Sequence, residues 1–343
     1  MSGWSKRPDW ILRLARAALF LPTLLLFAAR GRAQEPSAPD ITPAPIRVQV
    51  NLVSVSVAVT DETGHFVDSL QKENFLVLDN GVEQPLTHFA AVAEPAQVLL
   101  LVESGPAVYL LESGHLQSAY ALLNGLSRDD RVAVIGYAER PLPVLDFTTD
   151  KTAAAGALGE LRFNLGYGEL NLSASLHAVL DWLGYTPGKK TIVLLSTGMD
   201  TSPPSIAESL LARLKTGDVR VLAIALGGEL RETKPRSKQK VLPEKTAAAE
   251  EEFAQADAWL KAIAQASGGR VYFPKNAKEF RAAYAEIAQL VRHEYSLGFA
   301  PTERDGKVHP IDVRVRPAPE PAASPTYRVD HRQAYVAPRP DTN

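Results

Sequence analysis

Apolar runs at residues 97–102, 131–137, 191–195, 219–226 and 269–273 alternate, in the middle of this chain, with segments of helical period. Strands apolar on both faces must be covered on both faces. A helix between consecutive strands supplies both the cover and the crossover, so the pattern predicts a doubly wound α/β domain with a mostly parallel sheet over about 94–292. Helices are predicted over about 111–126, 152–161, 173–183, 206–215, 253–266 and 278–292. Ligands of such sheets gather at the carboxyl ends of the strands. Residues 226–252, rich in charge, read as a solvated insertion.

The flanks have a different rhythm. Val48, Val50, Leu52, Val53, Val55, Val57 and Val59 follow near-perfect period 2, the mark of a strand with one buried face, and Asp61-Glu62-Thr63-Gly64 follows as a turn. Phe75-Leu-Val-Leu78, then Asp79-Asn80-Gly81, then residues 84–92 read as a hairpin, because Asn-Gly supplies the positive φ angles of a tight turn. A β unit over 46–93 is therefore expected before the central domain. A C-terminal β segment is expected over 293–336, from strand-like runs at 294–300, 308–316 and 326–336, with a disordered tail at 337–343.

Lys6, Arg7, Arg13 and Arg16 precede an apolar run at 17–27, after which Gly31 and Ala33 take the −3 and −1 positions of a cleavage site. This is the layout of a secretory signal at 1–33, with cleavage after Ala33 and a flexible linker at 34–45. The run falls short of the ~20 residues that span a bilayer and contains Pro22, which favours cleavage over the alternative, an uncleaved anchor. The expectation is a secreted or periplasmic protein. The 343 residues carry 37 Lys and Arg against 39 Asp and Glu; losing the segment removes six basic residues and one acidic one, leaving a net charge of −7. That sign repels phosphate backbones, so nucleic-acid binding is disfavoured. Cysteine is absent, which excludes disulfides, thiolate metal sites and a cysteine nucleophile.

Val50-Asn-Leu-Val-Ser-Val-Ser-Val-Ala-Val-Thr-Asp61, Leu70-Gln-Lys-Glu-Asn-Phe-Leu-Val-Leu-Asp-Asn-Gly81, Glu294-Tyr-Ser-Leu-Gly-Phe-Ala-Pro301, Asp305-Gly-Lys307, Ile311-Asp-Val-Arg-Val-Arg316 and the stretch 327–336 stand in one order around the α/β centre. In that order the chain resembles a von Willebrand factor type A domain protein, and more narrowly the exported bacterial subgroup of the acidobacterial type. The resemblance implies a binding or adhesion module rather than an enzyme. It also implies a place for a metal: Asp-x-Ser-x-Ser after the first strand, a Thr or Ser from a middle loop, and an Asp ending the fourth strand, hard oxygens suited to Mg²⁺.

This chain departs from that set. Leu99-Leu-Leu-Val-Glu-Ser-Gly-Pro106 puts Val102, Ser104 and Pro106 at the three positions of the first motif, and Leu194-Leu-Ser-Thr-Gly-Met-Asp200 puts Thr197 at the fourth-strand carboxylate. Asn171-Leu-Ser-Ala-Ser175 offers Ser173 or Ser175 for the middle loop. A set with so little negative charge does not offset the dehydration of a divalent cation, so the metal site reads as degenerate and no cofactor is expected. Glu103 and Asp200, one and three positions off the motif, are the carboxylates that could rebuild it.

Enzyme signatures are missing. The sequence has no Gly-x-Ser-x-Gly, no His-Glu-x-x-His or His-x-x-x-His among its seven histidines, and no phosphate-binding glycine loop, since Gly166-Tyr-Gly-Glu-Leu-Asn171 falls short of one. Asp129-Asp130, Asp146 and Asp150 read as turns with solvated charge. No catalytic residue is assigned. The candidate binding face is the strand-end edge, with Glu103, Ser104, Tyr167, Leu170, Ser175, Met199 and Asp200, and the expected partner is a protein or an envelope component.

Overall fold

The computed structural model describes residues 52–91, 95–105, 108, 114–163, 168–228, 243–316 and 326–339; of 114–117 and 243–248 it describes the backbone alone. The signal-like segment, most of the charged insertion, Pro106 and Tyr167 lie outside the described residues. In chain order, β1 (Val53–Thr60), β2 (Phe75–Asp79), β3 (Val82–Gln84) and β4 (Leu86–Ala91) come first. The centre runs β5 (Ala96–Glu103), α1 (Gly114–Gly125), β6 (Arg131–Tyr137), β7 (Pro141–Thr148), α2 (Lys151–Gly159), α3 (Leu172–Leu183), β8 (Lys189–Ser196), α4 (Pro204–Thr216), β9 (Val219–Ala225), α5 (Pro243–Ala266), β10 (Val271–Tyr272) and α6 (Ala277–Arg292). β11 (Glu294–Phe299), β12 (Val308–Val315), β13 (Arg328–Asp330) and β14 (Ala334–Val336) follow.

The central sheet has the order β10-β9-β8-β5-β6-β7, parallel except for the last strand. β5 lies inside it, and its whole length is buried. Its side chains alternate between two cores: Val98, Leu100 and Val102 pack with Leu122, Phe280, Tyr284 and Ile287, while Leu99 and Leu101 pack with Leu176, Leu210 and Leu260. A strand apolar at every position is the consequence of helices on both faces.

The predicted strands and helices of the centre are present, with three differences. β7, which carries Pro141 and Pro143, was not expected, and Asp146 within it was read only as a turn charge. On the sheet's edge a missing ladder donor costs little, and there β7 pairs antiparallel with β6. Residues 243–252 fall in the insertion expected as a solvated loop, where 247–252 resemble a helix start; they are the first turns of α5, with Glu250, Glu251 and Glu252 exposed along them. Asp130 is not a solvated turn charge: it is buried, and its carboxylate accepts the Ala96 amide at 2.8 Å and the Ser127 amide at 2.7 Å, pinning the start of β5. Asp150 caps α2 by accepting from the Thr152 and Ala153 amides.

The flanking strands interleave. One sheet has the order β13-β1-β11-β4 and another β14-β12-β2-β3. β1 runs antiparallel to β11 from Val53 opposite Phe299 to Ala58 opposite Glu294, and β2 pairs with β12 from Phe75 opposite Val315 to Asp79 opposite Ile311. Val53, Val55, Val57 and Val59 share a third core with Phe75, Tyr295, Leu297, Phe299, Ile311 and Val313. The β2–β3 hairpin turns through Asn80 (φ 50°) and Gly81 (φ 80°), the two positive angles of a type I′ turn. Ala337, expected in a disordered tail, is buried and donates its amide to the Lys307 carbonyl at 2.8 Å.

Candidate functional site

Val102 ends its run inside the apolar core, so the next residue, Glu103, turns to the other side of the sheet. Its carboxylate is fully buried (0% exposed) and faces the end of the neighbouring β8. The Thr197 amide donates to Oε2 at 2.7 Å, and the Thr197 hydroxyl lies 2.8 Å from Oε2 and 3.0 Å from Oε1. Ser196 Oγ donates to Oε2 at 3.0 Å, and it accepts in turn from the Tyr137 hydroxyl at 2.7 Å and the Gly198 amide at 2.8 Å. Ser104 is buried beside them, its amide and hydroxyl both donating to the Tyr137 carbonyl, at 2.8 and 2.9 Å. Burial pushes the Glu103 carboxyl above its ordinary value against the pull of these donors, and burial followed by the neighbouring Glu103 charge pushes the Tyr137 phenol up as well.

The second carboxylate is also engaged. Asp200 Oδ2 accepts the Ser173 amide at 3.1 Å and the Ser173 hydroxyl, and Oδ1 accepts the Ser202 amide at 3.0 Å. An anion at the first turn of α3 is favoured by the unpaired amides and the dipole there. Ser175, two residues along, is buried, and its hydroxyl has no hydrogen-bond partner among the described residues.

At the positions where the resemblance implies a cation, the carboxylates are engaged by donors. The position that should carry the first carboxylate, Val102, is core. Glu103 stands nearby, with backbone and hydroxyl donors on the oxygens a cation would need. Asp200 is turned to the head of α3. A divalent ion needs several free hard oxygens, and this arrangement aims protons at its carboxylates instead.

Above the buried floor the loops are tied to one another. The Thr201 amide donates to the Leu170 carbonyl at 2.7 Å, the Leu170 amide to Thr201 Oγ1 at 3.0 Å, and Thr201 Oγ1 to Asn171 Oδ1 at 3.0 Å. Asn171 reaches the loop after β6, with its amide on the Ala138 carbonyl at 2.9 Å and Nδ2 on the Glu139 carbonyl at 3.1 Å. Leu170 folds over Gly105, where a Cβ would come within 2.8 Å of Leu170 Cδ2. Gly198 (φ 81°) lets the loop after β8 press on α5, since a Cβ there would stand 2.5 Å from the Ala256 carbonyl oxygen.

The structure thus brings together Glu103, Ser104, Leu170, Ser173, Met199, Thr197 and Asp200. It also corrects the candidate face: Glu103, Ser104 and Ser175 are buried and form its floor, while Leu170, Met199 and Asp200 are half-buried at its rim. Tyr137 and Ser196 were not picked out from sequence, while Asn171 and Thr201 lie in the loops expected to form the face. Tyr137 carried a signal all the same, a hydroxyl-tipped aromatic ending an apolar strand, which needs a buried partner.

No family model matches the sequence, and no curated protein matches it. Among solved structures the chain is similar to a von Willebrand factor type A protein from Catenulispora acidiphila, at 12% identity and a TM-score of 0.45 over 84% of this chain and 75% of that one. It is similar to an aerotolerance-related membrane protein from Bacteroides fragilis, at 14% identity and a TM-score of 0.42 over 58% and 98%. The ArnB paralog VWA2 from Sulfolobus acidocaldarius overlaps at 13% identity and a TM-score of 0.40 over 81% and 75%. The architecture is carried by the chain's own strand order and antiparallel edge strand. The central domain has a doubly wound α/β fold with a mostly parallel six-stranded sheet.

Proposed function

We propose that this chain is an exported interaction module, secreted or periplasmic, whose type A face takes a protein or an envelope component by contacts that need no metal. The observation that carries the reading is the cross-bonded rim: the loops bearing Leu170 and Thr201 hold each other in place over a floor of mutually bonded polar groups. A rim ordered before binding loses little further freedom on docking, and half-buried apolar side chains such as Leu170 and Met199 are the kind of group that anchors an interface. Tyr167 belongs to the same loop in sequence and is proposed as a third anchor. Degeneracy of the metal-ion site and binding rather than catalysis are parts of the same proposal, supported by a Glu103 carboxylate that is buried away from any substrate. No helix among the described residues is long and apolar enough to cross a membrane.

A second reading is favoured by the interleaved flanks, in which β1 and β2 pair with β11 and β12: the flanking sheets bind and the type A domain is their scaffold. A pull-down from envelope extract with residues 34–343 supplies the partner that separates the two. Charge substitutions at Tyr167 and Met199 weaken binding tenfold or more in the first reading, with the domain still folded and with no effect of millimolar Mg²⁺. Affinity unaltered by both, but abolished by changes at exposed positions of β1–β3, would support the second and contradict the first.

A further inference from the structure

His309 points its ring into the flanking sheets from β12 and is 2% exposed. Nδ1 lies 2.9 Å from Asp79 Oδ1 at the end of β2, and the other oxygen of Asp79 accepts the Tyr335 hydroxyl at 2.8 Å. A buried carboxylate fixed from behind requires a donor in front, so Nδ1 carries a proton, and Nε2 is left either to donate to Asp305 or, once deprotonated, to ligate a metal. Nε2 faces the β11–β12 loop, 3.1 Å from Asp305 Oδ1 and 3.8 Å from Glu303 Oε2. The three ligand atoms lie within 4.8 Å of one another.

We infer that Glu303, Asp305 and His309 form a site for a zinc-type divalent cation, with Asp79 and Tyr335 orienting the imidazole. Around a tetrahedral zinc with bonds of about 2.0–2.1 Å, ligand atoms stand about 3.4 Å apart. The separations of 3.1 and 3.8 Å lie on either side of that value. A proton on Nε2 would satisfy Asp305 alone, because Glu303 at 3.8 Å is beyond a hydrogen bond; a metal ion satisfies both. Asp305 Oδ1 also accepts the Lys307 amide at 2.9 Å, which shapes the turn at Gly306, and Lys307 Nζ takes the other oxygen at 3.2 Å. With Nε2 deprotonated for a metal, Asp79, Asp305 and Glu303 outnumber Lys307 and Arg339, which packs against Gly306, and a divalent ion offsets the difference. Glu303, 67% exposed, opens the site to solvent and leaves room for a water as fourth ligand. One nitrogen and two carboxylates suit zinc better than Mg²⁺, which prefers oxygen ligands and keeps its waters. The three ligands come from a Glu-x-Asp-x-x-x-His order with no familiar metal spacing, so they become a set only when the loop folds back on β12.

Isothermal titration of the chelator-treated full chain with Zn²⁺, and separately with Mg²⁺, tests this site. Saturable binding of one Zn²⁺ per chain is expected, with a rise in Tm and no comparable binding of Mg²⁺. His309→Gln should abolish it, and because that buried change can unfold the β segment, Glu303→Gln and Asp305→Asn carry the decision. Each should weaken Zn²⁺ binding at least about tenfold while far-UV circular dichroism stays unchanged. Absence of saturable binding, or binding that both loop variants leave intact, would overturn the assignment.

Discussion

Glu103 and Thr197 close the carboxyl ends of β5 and β8 against each other: the Thr197 amide and hydroxyl stand 2.7 and 2.8 Å from one oxygen of the Glu103 carboxylate. The metal-binding members of the type A family, by the resemblance, place carboxylates for a cation at the ends of these strands. Here a carboxylate on one strand is answered by hydrogen-bond donors on the other. Thr197→Val keeps the shape and removes the hydroxyl, leaving a buried charge short of a donor. The expected loss is about 2 kcal/mol of unfolding free energy, measured by urea denaturation.

Glu103 also predicts a pH dependence. Its folded-state carboxyl titrates above its ordinary value because burial disfavours the charge. Below the ordinary carboxylate range Glu103 is protonated whether the chain is folded or not, and its contribution to stability is fully present. As pH rises through the raised value the unfolded chain is already ionised and the folded one must charge a buried group, so stability is lost. Carboxylates held low, such as Asp61 and Glu279, act in the opposite direction on the acid side. Glu103→Gln isolates the first effect. As pH rises above the ordinary carboxylate range it should lose less stability than the parent.

Glu294 begins β11 and joins the flanking strands to the central sheet. Lys189 lies 2.7 Å from one of its oxygens, Arg220 bonds the other, and all three are largely buried. Removing one partner of a buried ion network strands the rest, so Glu294→Ala should cost ~3–5 kcal/mol in denaturant unfolding. Glu83, paired with Arg316 on the surface, serves as the control: Glu83→Ala should cost under about 1 kcal/mol.

Gly81 sits at φ 80° in the β2–β3 turn with nothing within 4 Å of an added Cβ. Gly81→Ala therefore reports backbone strain alone. It should cost about 1–2 kcal/mol and leave near-UV circular dichroism unchanged.

Much of the fold was legible because its signals are local. Period 2 in Val53–Val59 and unbroken apolar runs in β5, β6, β8 and β9 follow directly from which faces are buried. β7 was not legible, because prolines that bar a central strand are tolerated on an edge. The floor of the site was half legible. The motif positions led to Ser104 and Thr197, but the residue that matters most on the first strand is Glu103, one position past the expected carboxylate. Its role depends on which way the strand end turns and on Tyr137 and Ser196 coming from other strands. The grouping of Asp79, Glu303, Asp305, His309 and Tyr335 was not legible at all, since it forms only when both ends of the chain pair.

Thermal unfolding of the full chain across a Mg²⁺ titration tests the closed strand-end face most directly. A cation bound there would stabilise the native state by mass action. Tm is expected to stay unchanged up to millimolar Mg²⁺ if the strand-end face is closed. A rise of several degrees that Ser104→Ala or Glu103→Gln abolishes would show that the carboxylates do open to a metal, and would contradict it.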